Sequence, residues 1–180
     1  MNRIVAVAFT LCLLAGAAGA QVPTTGNVYV GYSYLNADLP GGRTSLNGWN
    51  GSVEFKVFPF IGLVGDFSGN YGSENLTVLP FTTVNTSIGQ HNFLFGPRAS
   101  LSIGKFRPFV HALIGASHIS ESATGFSSSD TSFADALGGG IDYHLIPLLS
   151  WRIQIDDLQT RFSGTTQQDV RVSTGIVVHF

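Results

Sequence analysis

The feature that most constrains the fold is a strict alternation of apolar and polar side chains along most of the chain. In segment 49–58, for example, Val53 and Phe55 alternate with Ser52 and Glu54. Successive side chains of a β-strand point to opposite faces of the sheet, so this period of two predicts strands with one apolar and one polar face. Comparable segments occur at 27–35, 49–58, 63–71, 88–102, 110–117, 137–143, 149–156 and 170–180. The sequence therefore predicts an all-β protein of about eight strands.

Segment length and connection length decide between the β architectures. Strands of about 9–11 residues cross a bilayer at ~45° tilt, whereas ordinary strands average about 5–6 residues. Long polar connections near 36–46, 72–87, 119–131 and 163–168 alternate with tight ones at Pro59, Gly104–Arg107 and Ile146-Pro147. Short periplasmic turns and longer outside loops are typical of outer-membrane barrels.

A closed sheet is the form of β-structure that pairs every main-chain polar group inside hydrocarbon. We therefore predict an eight-stranded antiparallel up-and-down transmembrane β-barrel in a bacterial outer membrane. Because the first connection is long and the strand number even, both termini are expected on the periplasmic, short-turn side. A soluble lipocalin-like barrel, which needs its apolar face inside, is the alternative fold.

The first twenty residues have the pattern of an export signal. Arg3 supplies the positive charge, residues 4–14 form an apolar core of signal length, and Ala18-Gly19-Ala20 offers small residues for cleavage. The apolar stretch is short for a membrane helix, and bulky residues before Cys12 disfavour a lipoprotein signal. We predict a signal peptide over 1–20 and an outer-membrane β-barrel domain over 21–180.

Composition excludes several classes of function. The net charge of -2 leaves no basic footprint for nucleic acid. Cys12 is the single cysteine and lies in the predicted signal, so the mature chain offers no disulfide, Cys-ligated zinc or Cys nucleophile. His91, His111, His144 and His179 fall on different strands without shared ligand spacing, so we predict no metal and no cofactor.

The predicted inward face carries both signs of charge in equal number. It comprises the acidic Glu54, Asp66, Asp142 and Asp156 and the basic Lys56, Arg98, Arg152 and Arg171. The interior of an eight-stranded barrel is just wide enough for side chains to fill it, and a buried unpaired charge is costly. We therefore predict a mutually paired lumen charge network that plugs the barrel, and a structural or interaction role with loops presented outside. A narrow pore for ions or small solutes is the alternative.

Two positions interrupt the alternation. Pro97 cannot donate to a strand ladder, so we expect a bulge or local break there. Asp157 would face lipid if the alternation continued. We therefore predict a bulge beside Asp156 that turns Asp157 inward and places Leu158 and Phe162 outside.

The end of the chain carries the most specific pattern, alternating hydrophobes from Val172 that finish at Phe180. Together with HNFLFGPRASL at 91–101 and FADALGGGIDY at 133–143, it resembles the small bacterial outer-membrane β-barrel family, OmpA-like or OmpX-like in size. The resemblance covers about 21–180, and because the sequence ends at Phe180 we expect no peptidoglycan-binding domain.

That resemblance also implies which molecules the protein contacts. It implies outer-membrane lipid and lipopolysaccharide around the barrel, and a terminal insertion signal read by the barrel-assembly machinery. The residues of that signal are Thr174, Ile176, Val178 and Phe180. No loop partner is indicated.

His118 and Ser120 resemble the H-x-S element of outer-membrane lipid A deacylases, which are also eight-stranded barrels. Both side chains share the outward face near the outer rim. A serine nucleophile needs a base, and the base needs an orienting acid. Glu121, Asp130 and Asp135 lack a compelling spacing for that role, and Glu121 stands where the deacylases have Asn. A lipid A-modifying esterase is thus a second alternative to a main prediction that is not an enzyme.

Overall fold

The structure, a computed structural model, describes residues 25–39, 42–79, 82–123, 126–162 and 165–180. The predicted signal peptide lies outside the described residues. The strands are β1 (Gly26–Leu39), β2 (Gly42–Phe58), β3 (Ile61–Leu79), β4 (Thr82–Ser100), β5 (Phe106–Ala123), β6 (Phe126–Ile146), β7 (Leu149–Phe162) and β8 (Thr165–His179). None of the described residues form a helix that is long and apolar enough to cross a membrane.

Each strand pairs antiparallel with the next, and β8 pairs with β1 to close the sheet. The predicted eight-stranded up-and-down barrel is therefore confirmed. The strands are 14 to 21 residues long and run well into the segments predicted as long connections. β3 and β4, for example, stay paired as far as Leu79 and Thr82. Main-chain pairing continues there because it does not depend on side-chain hydropathy.

The strands are staggered around the barrel. The carbonyl of Thr25 accepts a hydrogen bond from the Lys56 amide at 3.2 Å. From Lys56, successive partners around the barrel are Gly62, Arg98, His111, Gly138, Asp156, Arg171 and finally Leu35 on β1. The circuit returns ten residues beyond Thr25, a shear of ten. The positions in this row face the lumen, so the stagger brings together side chains that are far apart in sequence.

Apolar side chains form a belt on the outside of the barrel. Leu137, Val30 and Val110 are 68%, 64% and 63% exposed. The belt extends from Phe180 at the tight-turn end to Trp49 near the long hairpins. An outward apolar face rules out the lipocalin-like alternative, because it suits hydrocarbon rather than water.

Pro97 interrupts the ladder on one side only. It pairs with Leu63 of β3, whereas pairing with β5 stops at Phe95 and resumes at Arg98. The register is the same on both sides of the gap, so the structure has the predicted local break and no bulge. The missing proline N–H explains the gap.

The predicted bulge beside Asp156 is wrong. Register with β6 and β8 is continuous, Asp157 points outward, and Leu158 is fully buried in the lumen. Asp157 follows the last belt residue of β7, Ile155, so its carboxylate lies at the edge of the belt rather than in its middle. The side chain of Phe162 lies outside the described residues.

Candidate functional site

The lumen gathers most of the charged side chains of the predicted network. The residues with 0% exposure are Glu54, Asp66, Arg98, Asp142, Arg152, Asp156 and Arg171. Lys56 differs, because it lies half-buried at the tight-turn mouth and forms no ion pair among the described residues. Its ammonium donates to the Pro59 carbonyl at 3.3 Å. Lys56 is therefore a mouth residue, and its inclusion in a paired network was wrong.

Arg171 joins two opposite walls of the barrel. Its Nε donates to Asp156 Oδ2 of β7 at 2.9 Å, and its Nη1 donates to Asp66 Oδ1 of β3 at 2.8 Å. Ser68 Oγ accepts a further bond from Nη1 at 2.9 Å. One guanidinium thus binds two buried carboxylates across the lumen, and charge-assisted bonds of this kind are among the stronger ones.

His111 extends this contact toward the tight-turn mouth. Its Nε2 lies 2.8 Å from Asp156 Oδ1 and its Nδ1 lies 3.2 Å from Arg98 Nη2. The imidazole can donate from Nε2 to Asp156 and accept at Nδ1 from Arg98. A Cβ at Gly138 would lie 2.0 Å from Asp156 Oδ1, so a glycine leaves room for this carboxylate.

Near the tight turns, Glu54 is shared by two guanidinium groups. It accepts from Arg107 Nη2 at 2.8 Å, from Arg98 Nη1 at 3.3 Å and from Asn27 Nδ2 at 2.8 Å. Arg107 was not among the predicted lumen charges, because its position reads as part of a tight turn. Arg107 lies four positions before His111 on β5, so both side chains are on the same face of the strand, and this spacing could have predicted that Arg107 faces the lumen.

A second carboxylate and one aromatic ring complete this end of the network. Asp142 accepts bonds of 2.6 and 2.9 Å from Arg152. The Phe109 ring lies 4.3 Å from the Arg98 guanidinium and 4.6 Å from that of Arg152. Cation–π contacts of this kind stabilise two like charges around one ring.

The lumen also holds buried apolar side chains, in addition to buried polar ones such as Gln90, Asn92 and Asp169. A buried cluster contains Leu35, Ala37, Leu46, Val64, Ile88, Leu94, Leu113, Ala134, Ala136 and Leu158. These side chains share the inward parity of the charged ones, although inward apolar side chains were not predicted. The barrel interior is therefore filled by both ion-paired and apolar side chains, and not by charge pairs alone.

Asp169 lies inside the barrel just before Val170, where β8 enters the apolar belt. Burial raises its pKa to about 6, although hydrogen bonds from the Asp38 amide and from Gln90 oppose the rise. The folded state thus prefers the protonated acid, and its stability falls as the pH rises from about 4 through about 6.

We expect Asp169→Asn to raise the free energy of unfolding at pH 7.5 by roughly 1–3 kcal/mol. The gain should vanish at pH 4, where the native carboxyl is already protonated. Gln90 Oε1 is buried without a partner among the described residues, so a flipped Gln90 amide can accept from the new Asn. Urea unfolding in detergent micelles at both pH values tests this. A variant less stable than the wild type at pH 7.5 would contradict it.

His118 and Ser120 each bond to another residue rather than to one another. His118 Nδ1 lies 2.7 Å from Thr131 Oγ1, and Ser120 Oγ donates to the Gly89 carbonyl at 3.4 Å. Among the described residues no hydrogen bond joins His118 to Ser120 or to Asp130. The side chain of Glu121 lies outside the described residues. Within those residues, too, no group of three or more His, Cys, Asp or Glu side chains is placed to hold a metal ion.

The residues of the predicted insertion signal line the outward face of β8. Ile176, Val178 and Phe180 are exposed in the belt. Thr174 is half-buried and accepts a bond from Trp151 Nε1 at 3.0 Å.

Comparison with known proteins agrees with this architecture. Residues 6–180 match the model of the outer membrane protein beta-barrel domain. The chain matches no curated protein sequence. Neisserial surface protein A superposes with a TM-score of 0.70 at 12% identity, covering 86% of this chain and 97% of the other.

Two further solved structures share the fold. Yersinia pestis Ail, the attachment invasion locus protein, in complex with the heparin analogue sucrose octasulfate, has a TM-score of 0.63 at 17% identity, covering 87% and 98% of the two chains. The N-terminal barrel of Pseudomonas aeruginosa OprF has a TM-score of 0.54 at 10% identity, covering 89% and 100%. The chain is a bacterial outer-membrane β-barrel protein and belongs to the outer membrane protein beta-barrel domain family.

Proposed function

We propose that this protein is a closed barrel that anchors itself in the outer membrane and presents its long hairpins outside the cell, without conducting solutes. The observation that carries the proposal is the packed lumen. Arg98, Arg152 and Arg171 are fully buried and bonded to carboxylates from other strands. A water-filled channel would leave such side chains solvated.

The hairpins themselves supply the interaction surface. The segments 36–46, 72–87, 119–131 and 163–168 contain four acidic residues and one basic residue, Arg43. Ail binds an anionic heparin analogue, whereas an acidic surface repels polyanions. We therefore propose a neutral or cationic partner for the hairpins.

Lipopolysaccharide is the proposed lipid partner. Tyr71, His91, His118 and Thr131 point outward beyond the apolar belt, where the polar headgroups of the outer leaflet begin. The Tyr71 hydroxyl lies 2.9 Å from His91 Nε2, and His91 stands opposite His118. With His118 bonded to Thr131 rather than to Ser120, these side chains support headgroup contact and not ester hydrolysis, so we propose no enzymatic activity.

We also propose how the chain reaches this place. Residues 1–20 act as the signal peptide, and the assembly machinery reads the outward side chains of Thr174, Ile176, Val178 and Phe180. Both termini then face the periplasm, which is consistent with the tight turns at Pro59 and Pro147 lying at the same end as Gly26 and Phe180.

Planar-bilayer recordings test the closed lumen. We expect the refolded wild type to show no steady open channel of porin size, because packed side chains occupy the barrel interior. A reproducible, large, ohmic conductance would contradict the proposal and favour the pore alternative.

A further inference from the structure

The tight-turn mouth of the lumen holds more positive than negative charge. In this half of the barrel the described residues place four cations, Lys56, Arg98, Arg107 and Arg152, against two carboxylates, Glu54 and Asp142. Around Arg171 the ratio is reversed, because that single cation binds both Asp66 and Asp156. The surplus positive charge is therefore local to the mouth.

A recess of about 320 Å³ opens at this place. Lys56, Arg107, His179 and Asn27 line it. Arg107 is 4% exposed, yet its Nε is buried without a hydrogen-bond partner among the described residues. The Lys56 ammonium donates one hydrogen bond to a carbonyl, and its other N–H groups can donate to a ligand. A buried guanidinium N–H with no acceptor is an uncommon and costly arrangement.

Two imidazoles lie side by side at this mouth, and that of His179 lines the recess. Ser150 Oγ lies 2.8 Å from His179 Nε2 and 2.8 Å from His144 Nδ1, and the two rings are 5.2 Å apart. The bonds to Ser150 fix both rings at the mouth. This leaves His179 facing the same recess as Lys56 and Arg107.

We propose that this recess, the mouth site, binds a phosphate group, with Lys56 and the free edge of Arg107 as its main contacts. A tetrahedral oxyanion accepts several hydrogen bonds at once, and guanidinium and ammonium groups are the side chains that bind it best. Free phosphate in the periplasm and the headgroup of an inner-leaflet phospholipid present the same chemistry. The proposal concerns a ligand of the periplasmic face and is independent of the partner proposed for the hairpins.

The test is an amide-shift titration of the refolded full chain by NMR in maltoside micelles, which contain no phosphate. One arm adds inorganic phosphate against chloride at constant ionic strength, and the other adds phosphatidylglycerol. We expect saturable shifts confined to the amides around Asn27, Lys56, Arg107 and His179. Shifts in the first arm identify a soluble anion, and shifts in the second arm alone identify a lipid headgroup.

Lys56→Gln should weaken the binding about tenfold. Lys105→Gln is the matched control, because Lys105 is exposed on the neighbouring turn and does not line the recess. It should leave the affinity unchanged. The absence of saturable shifts in both arms would overturn the proposal and mean that the chain's own groups already neutralise these cations. Equal losses in the two variants would also overturn it, since they would reflect general surface charge.

Discussion

Arg171→Met should destabilise the barrel by about 3–5 kcal/mol, because it leaves the carboxylates of Asp66 and Asp156 buried without their cation. The side chain of Arg171 is fully buried and reaches both walls of the lumen. Urea unfolding in micelles, followed by heat-modifiable gel migration, measures the loss.

Arg161→Met is the matched control for this change. Arg161 is exposed on β7, with its guanidinium 5.8 Å from the Phe133 ring, so its loss should cost no more than about 1 kcal/mol. Combining Arg171→Met with Asp66→Asn and Asp156→Asn should recover most of the stability, since the buried charges then disappear together. Equal effects of the two single changes would contradict the buried network.

Ile153→Arg should impair insertion and cost roughly 2–4 kcal/mol, because it places a cation near the middle of the apolar belt. Ile153 is flanked in the belt by Trp151 and Ile155 on the same face of β7. Folding yield into lipid vesicles, together with urea unfolding of the inserted fraction, measures the effect.

Asp157→Arg, four residues further along the same face, is the control. It lies at the edge of the belt, where an arginine costs about 0–1 kcal/mol. Similar losses for both variants would mean that Asp157 does not lie at the boundary and that the height of the barrel in the membrane is assigned wrongly.

The faces of the strands were predictable from the sequence because side-chain parity is a local property. Alternation alone sends Glu54, Arg98 and Arg152 inward and Val53 and Ile153 outward. The stagger of the strands was not predictable in the same way, and it determines which inward side chains meet. The contact of Arg171 with Asp66, across 105 positions of sequence, follows from the stagger.

The errors have three physical origins. At Asp157, the cost of one charge was given more weight than the continuity of the strand, although a strand that continues past the membrane can place a carboxylate at the boundary. At Arg107, the first residues of β5 were interpreted as a turn, which hid an inward cation. The apolar cluster around Leu158 was missed because a polar lumen was assumed along the whole barrel, whereas apolar side chains fill part of it.

One face of every strand meets lipid, and the other fills the lumen. Methyl NMR in lipid nanodiscs tests it on the unmodified chain, through nuclear Overhauser effects between side-chain methyl groups and lipid acyl chains. Leu137 and Leu158 provide the sharpest comparison, since they are the same residue type on adjacent strands and are 68% and 0% exposed. We expect acyl-chain contacts for Leu137 and Ile155 and none for Leu158 or Leu113. Acyl-chain contacts at Leu158, with none at Leu137, would contradict it.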